Sequence, residues 1–185
     1  MENENEKLLL TNEELLQELS KEQLINLVKI YGHLLMTIDG WWFLGVEKVL
    51  GRDKAIKLDE NSWRQYAKTE GVLMKKFFNV ENKSKLSLKE SIDIFLLSPI
   101  WGNHGGEAEF EQNKCNISIR DCKSQKERIK HGLGEFPCKG VGIAYAESMK
   151  QILNPNLNVK CNVCPPDDHP DDLWCKWEIS LNVQS

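Results

Sequence analysis

Cysteine side chains concentrate in the last third of this 185-residue chain, and they are the residues best suited to chemistry. Cys138, the pair Cys161 and Cys164, and Cys175 lie there, with Cys122 just upstream. Thiolates bind zinc ions and iron–sulfur clusters, and a Cys-x-x-Cys pair is common in such sites. The pattern therefore predicts a metal centre, either zinc or an iron–sulfur cluster, with these five cysteines as candidate ligands.

Two other interpretations of the thiols stay open. Cys138 precedes an apolar helical stretch, and the positive end of a helix dipole lowers the pKa of a nearby thiol. His104, in a glycine-rich segment, could then act as a general base, so Cys138 and His104 are candidate catalytic residues. Alternatively, several cysteines are buried as small apolar residues, as we expect for Cys115.

A second candidate site involves acidic residues in the most apolar helical stretch. Asp39 and Glu47 flank Trp41 and Trp42 there, and a buried carboxylate needs a polar partner or a raised pKa. Together with Trp63 they could bind a small ligand or cofactor. A solvated stripe on the helix is the alternative.

The first hundred residues have helical periodicity and three capping boxes. The boxes are Thr11 with Glu14, Ser20 with Gln23, and Ser87 with Glu90. After Ser20 a continuous apolar stripe predicts a long helix that ends at Gly51, and we expect it to be the most buried helix, with Trp41 and Trp42 in the core. A short helix from Asp53 to about Leu58 and a separate longer helix should follow.

The remaining residues alternate between two strands, a helix and two more strands. This order predicts an α+β fold whose helical N-terminal half precedes a ββαββ antiparallel sheet. We expect a single domain over 1–185, helical at 11–99 and sheet-containing at 100–185, with residues 1–10 as a frayed tail.

The strand alternation also makes a geometric prediction about the thiols. Cys161 and Cys175 share parity with apolar neighbours, so in a hairpin both would face the buried side. The amphipathic helix after Cys138 must cover that side. We therefore expect Cys138, Cys161 and Cys175 to approach one another, with Cys164 or Cys122 close by.

Composition limits the partners. A net charge of −4 argues against nucleic acid, and the absence of a long apolar run argues against a membrane span. The acidic N-terminus is unlike a signal peptide, so we expect a cytoplasmic protein with reduced thiols. Its partner should be a small molecule or a metal, and the oligomeric state stays open.

Two segments resemble a group of small cytosolic prokaryotic proteins whose function is uncharacterised. The first segment contains Asp39-Gly-Trp-Trp-Phe43, Glu47, Gly51, Ala55, Asp59 and Trp63. The second contains Cys122, Cys138, Cys161-Asn-Val-Cys164-Pro-Pro-Asp and Cys175-Lys-Trp177. The closing strand is also similar to that of L-2-amino-thiazoline-4-carboxylic acid hydrolases, and more distantly the chain resembles 4-vinyl reductase-type domains. The hydrolase resemblance implies thiol-dependent hydrolysis.

The leading hypothesis is a protein that binds a metal, an iron–sulfur cluster or a small ligand at a cysteine-lined site between sheet and helix. The alternative is a thiol-dependent hydrolase with Cys138 as nucleophile. A non-catalytic sensory or interaction module is the third possibility, and whether the protein is an enzyme stays open.

Overall fold

The computed structural model describes residues 11–181, so the tail expected at residues 1–10 lies outside the described part. The helices of the first half and the four-stranded antiparallel sheet that follows confirm the predicted α+β class. The helices are α1 (Asn12–Glu18), α2 (Lys21–Leu50), α3 (Arg52–Phe77), α4 (Leu88–Leu97), α5 (Pro99–Gly102), α6 (Lys123–Lys130) and α7 (Lys139–Leu153). The strands are β1 (Glu107–Glu111), β2 (Lys114–Ile119), β3 (Leu157–Val163) and β4 (Cys175–Leu181).

Local sequence signals locate most helix ends correctly. All three predicted capping boxes are formed, at the starts of α1, α2 and α4. Gly51 ends α2 with a positive φ of 84°, a backbone conformation that favours glycine. The predicted break near Leu58 is wrong, because α3 runs unbroken from Arg52 to Phe77. No proline or glycine lies between Arg52 and Glu70, so the polar residues after Leu58 simply continue the helix.

The sheet has the strand order β1-β2-β4-β3, and every neighbouring pair is antiparallel. Helices α4 and α7 pack on the sheet, α3 packs on α7, and α2 packs on the outside of α3. Buried side chains of the sheet, α4, α7 and α3 form one hydrophobic core. Within residues 11–181 no helix combines the length and the apolar character needed to cross a membrane.

The expectation that α2 is the most buried helix is wrong. Phe43 is its one buried residue, whereas Trp41 is 68% exposed and Trp42 is 42% exposed. The physical reason is the layer order, since α2 is the outermost layer and only one of its sides meets α3. The apolar stripe correctly marked the helix but not which of its sides is covered.

Candidate functional site

Three elements bring the cysteines of the C-terminal region together. Cys138 is the N-cap of α7, Cys161 lies in β3, Cys164 follows that strand and Cys175 begins β4. The Sγ atoms of Cys138 and Cys164 are 3.5 Å apart. The thiols of Cys161 and Cys175 lie close enough to Cys164 to contribute to the shift in its pKa. Cys164 is therefore the centre of a cluster of four thiols, which we call the thiol cluster.

Close packing of α7 on the sheet makes this approach possible. Gly142 lies under the indole of Trp177, and a Cβ atom at position 142 would be only 2.8 Å from the Trp177 ring. Trp177 itself pairs with Cys161 across the β3–β4 ladder. Glycine at position 142 thus lets the first turn of α7 lie near the strand ends that carry the thiols.

A buried glutamine positions Cys138. The side chain of Gln125, on α6, donates to the carbonyl of Phe136 at 2.7 Å and accepts from the Phe136 N–H at 2.8 Å. The same Nε2 atom donates to the Sγ of Cys138 at 3.4 Å. Gln125 therefore holds the segment before α7 and gives the Cys138 sulfur a polar partner.

An ion pair connects α7 to the loop after β3. The Nζ of Lys139 lies 2.9 Å and 2.8 Å from the two carboxylate oxygens of Asp167. Asp167 also accepts from the backbone N–H of Cys164 at 3.2 Å, and the Lys139 N–H donates to the Pro165 carbonyl at 3.0 Å. These bonds hold Cys164 beside the start of α7 and place a positive charge next to the thiol cluster.

The protonation pattern follows from the central position of Cys164. Hydrogen bonds to Cys138, Cys161 and Cys175, together with burial, raise the pKa of Cys164, so its thiol keeps the proton that it donates. The hydrogen bond from Cys164 lowers the pKa of Cys161, and the charge of Lys139 lowers it further. The same donor lowers the pKa of Cys175. Cys161 and Cys175 thus ionise more readily than Cys164.

The other two cysteines have different surroundings. Cys122 is the N-cap of α6, and burial raises its pKa to about 12, with smaller contributions from the charges of Cys138 and Cys175. It therefore lies at the margin of the thiol cluster. Cys115 is fully buried in β2, where burial raises its pKa to about 11. Its partner across the ladder is Ile179, in agreement with its expected role as a core residue.

The donor set of the thiol cluster suits a thiophilic metal, although the thiols are not yet arranged around an ion. Within residues 11–181 no group of three or more Cys, His, Asp or Glu side chains could hold a metal ion as it stands. The thiols of Cys138 and Cys164 instead form a hydrogen bond with each other, so protons remain in the cluster. Thiolates are the form that binds metal, so loading the site would require loss of these protons.

His104 is buried against α6. Its Nε2 lies 3.3 Å from the hydroxyl of Ser124, and its Nδ1 has no partner in the described part of the chain. Burial, with the charge of Lys123, lowers the pKa of His104 to about 4. Among the described residues His104 makes no hydrogen bond to a cysteine, so the structure does not pair it with Cys138.

A separate pocket of about 300 Å³ lies between α2 and α3. Its lining residues are Leu35, Ile38, Asp39, Trp42, Ser62, Trp63 and Tyr66, none of them a cysteine. Burial raises the pKa of Asp39 to about 6, and burial together with the charge of Asp39 raises that of Asp59 to about 7. The nearby Trp63 indole N–H lowers both pKa values and so partly opposes these shifts. Asp39 and Trp63 are thus brought together, as the sequence suggested.

Glu47 does not belong to this pocket. Its carboxylate pairs with Arg52 at 3.0 Å and with Arg128 at 3.5 Å. Two turns of helix separate it from Asp39, which is too far for both to serve one small ligand. The prediction that Asp39 and Glu47 line one pocket is therefore wrong for Glu47, which instead holds α6 against α2.

The comparisons with known proteins identify a family. A family model described as a family of unknown function, DUF6125, matches residues 17–181. The chain belongs to DUF6125. Neither the curated proteins nor the solved structures include a match to this chain.

Sequence reasoning missed several polar residues in this DUF6125 chain. Gln125 and Asp167 hold the thiol cluster, and Asp59 forms a pair with Asp39. Glu70 is also buried, where it accepts from Tyr145 at 2.8 Å and from Ser98 at 3.1 Å. Burial raises the pKa of Glu70. The four-residue spacing of Asp59 and Trp63 was a usable signal, because it places both on one face of a helix.

Proposed function

We propose that this DUF6125 protein binds a metal ion, zinc first of all, through the four sulfurs of the thiol cluster. The observation that carries the proposal is the meeting of Cys138, Cys161 and Cys175 around the Cys164 thiol. The ion would join the start of α7 to β3 and β4. With four protein ligands and no open position, such a site would be structural in type.

The sulfur spacing supports a single ion. Two thiolates bonded to one tetrahedral zinc at about 2.3 Å have their sulfurs about 3.8 Å apart. The Cys138 and Cys164 sulfurs are 3.5 Å apart, so they need to move little. A four-iron cluster carries its thiolates on separate irons, which would hold these two sulfurs farther apart.

The surrounding charge supports the thiolate form. Lys139 adds positive charge beside Cys161 and Cys164, and Cys138 lies at the N-terminus of α7, the positive end of the helix dipole. Ionised cysteines without such partners would be costly in a buried site. Gln125 would keep Cys138 oriented in both the metal-free and the metal-bound protein, because its contacts to Phe136 do not depend on the thiol cluster.

The test is elemental analysis of protein purified without oxygen, combined with its absorption spectrum. About one zinc per chain and no visible absorption are expected for a single tetrahedral site. Iron and sulfide with visible absorption would identify a cluster instead. A metal-free protein that takes up neither zinc nor iron and sulfide on reconstitution would contradict the proposal.

Cysteine variants locate the site. Cys164→Ser should lose most of the zinc, because Cys164 is central, whereas Cys115→Ala should keep it, because Cys115 lies in the core away from the cluster. Zinc retention should also weaken as the pH falls, since protons compete with the ion for the thiolates. Chelator competition at two pH values measures this dependence.

A thiol-dependent hydrolase is the second candidate, and the resemblance to L-2-amino-thiazoline-4-carboxylic acid hydrolases motivates it. Cys138 would be the nucleophile, because it caps α7 and receives a hydrogen bond from Gln125. His104 hydrogen-bonds to Ser124, so a base for Cys138 is not evident among the described contacts. Metal-free protein in which iodoacetamide modifies Cys138 fastest, and which hydrolyses a thiazoline carboxylate, would support the hydrolase over the metal site.

A further inference from the structure

Helix α2 presents a broad apolar surface that no described residue covers. Val28 is 70% exposed, Ile38 is 64% exposed and Tyr31 is 61% exposed, and these three lie on one side of the helix. The side that carries Phe43 packs against the domain, and Leu35, Ile38 and Trp42 lie at its edge beside the pocket with α3. A helix that is apolar on both sides is normally buried on both sides. A contiguous exposed patch of this kind marks an interaction surface.

The spacing along this surface is regular. Positions 24, 28, 31, 35, 38, 42, 45 and 49 follow one another at alternating steps of four and three, and each is apolar or glycine. We call these eight positions the α2 seam. Alternating steps of four and three give a repeat of 3.5 residues, which keeps one stripe facing a partner helix along its whole length. Packing onto the own domain alone does not require this strict repeat.

We infer that the α2 seam binds the α2 seam of a second copy of this chain, as an antiparallel helix pair related by a two-fold axis. The inference is independent of the metal site. The exposed parts of the α2 seam amount to roughly 800 Å², about the area that a standard interface buries per partner. The area on one helix therefore suffices for a stable dimer.

Self-complementarity favours a second copy in the antiparallel direction. With the two-fold axis between positions 35 and 38, Val28 lies opposite Gly45 of the second copy, and Tyr31 lies opposite Trp42 of the second copy. The bulky Tyr31–Trp42 pair is thus next to the small Val28–Gly45 pair, which leaves room for the indole of Trp42. A parallel pairing would place Gly45 opposite Gly45 and Trp42 opposite Trp42, which leaves a void beside an overfilled layer.

The dimer would also change the pocket between α2 and α3. Leu35, Ile38 and Trp42 belong to the α2 seam and also line the pocket that contains Asp39. The second copy would therefore cover its open side and remove the Asp39 carboxyl further from water. The acidic pair would then be enclosed in the dimer.

Sedimentation velocity of the full chain over a range of concentrations tests the inference. The wild type should sediment as a dimer at micromolar concentration. Ile38→Glu should raise the dissociation constant at least tenfold, because it places a charge in the middle of the seam. The matched control is Ile30→Glu, on the same helix but outside the seam, where the residue is 53% exposed. It should leave the dimer intact.

Far-UV circular dichroism separates dissociation from unfolding, and both variants should retain the wild-type helix content because both positions are exposed. A wild type that remains monomeric at the highest concentration would overturn the inference. Equal dissociation of Ile30→Glu and Ile38→Glu would overturn it too, since the seam would then have no special role.

Cross-linking tests the direction of the pair. Position 24 of one copy should meet position 49 of the other, whereas two copies of position 24 would be about 37 Å apart at a rise of 1.5 Å per residue. An oxidised mixture of Leu24→Cys and Val49→Cys proteins should give a disulfide-linked dimer on a non-reducing gel. Each variant alone, and the wild type with its native thiols, should not. Efficient linkage of Leu24→Cys alone would overturn the antiparallel pairing.

Discussion

Helices α7 and α2 are both amphipathic, yet the fold treats them differently. Seven of the 15 residues of α7 are buried, whereas Phe43 alone is buried among the 30 residues of α2. Helix α7 lies between the sheet and α3, and α2 touches mainly α3. Two helices with similar apolar periodicity therefore have different energetic roles, because position in the layers decides how much of each stripe loses contact with water.

The two helices therefore differ in whether their apolar side chains stabilise the folded monomer or stay available for binding a partner. The side chains of α7 should stabilise the monomer and hold the thiol cluster, since they pack on the strands that carry Cys161 and Cys175. Much of the apolar surface of α2 contributes little to the stability of the monomer, because it stays in contact with water. Paired substitutions in the two helices test this difference.

The largest difference should come from truncating an apolar residue in each helix. Met149 in α7 is fully buried, so Met149→Ala should cost about 2–5 kcal/mol of unfolding free energy through lost contacts and a cavity. Ile30→Ala, at an exposed position of α2 outside the seam, should change it by less than about 0.5 kcal/mol. Urea denaturation measures both changes, and comparable losses of unfolding free energy would contradict the proposed difference between the two helices.

The acidic pair between α2 and α3 should give a pH-dependent effect. The pKa of Asp59 is raised from 3.8 to about 7, mainly by burial and then by the charge of Asp39. The folded state therefore holds a proton that the unfolded chain releases, and stability falls as the pH rises from about 4 to about 7. Asp59→Asn should remove this loss.

The gain from Asp59→Asn should be small near pH 4 and reach about 2–4 kcal/mol above pH 7. Urea denaturation at pH 4.5 and pH 8 tests this dependence. Asp168→Asn, at an exposed position in the loop between β3 and β4, is the control and should show little change at either pH. A gain that does not vary with pH would contradict the raised pKa of Asp59.

Replacing a glycine with alanine should change the stability in opposite directions in the two helices. Gly142→Ala in α7 would place a methyl group 2.8 Å from the Trp177 ring, so it should cost about 1–3 kcal/mol by overpacking. Gly40→Ala in α2 meets nothing within 4 Å and should stabilise the helix by about 1 kcal/mol. Thermal unfolding distinguishes the two signs, and a neutral Gly142→Ala would show that α7 has room to move.

The smallest effect should come from helix caps. Ser87 caps α4, whose first turn packs into the core through Leu88, so Ser87→Ala should cost about 1 kcal/mol. Ser20 forms the same capping box on α2, but the first turn there is exposed. Ser20→Ala should cost less than about 0.5 kcal/mol in global unfolding, since that turn can fray alone. Hydrogen exchange in the first turn of α2 should nevertheless increase.

The sequence was sufficient for most of the elements, although not for the unbroken α3, because their signals are local. Capping boxes at Ser20 and Ser87, the stop at Gly51 and the alternation in β3 and β4 each depend on residues a few positions apart. The α+β class follows from the order of those elements. The parity of Cys161 and Cys175 was local too, and the register of β3 and β4 then placed both near Cys164.

The site details depend on partners distant in the chain, and only the tertiary structure decided them. Gln125 reaches Cys138, Lys139 reaches Asp167, and Glu47 turns from the pocket to Arg128. No periodicity encodes such pairs, because each requires two elements to meet at one point. The exposure of α2 has the same origin. An apolar stripe shows that a helix needs a packing partner, whereas the order of the layers decides whether the same chain provides that partner.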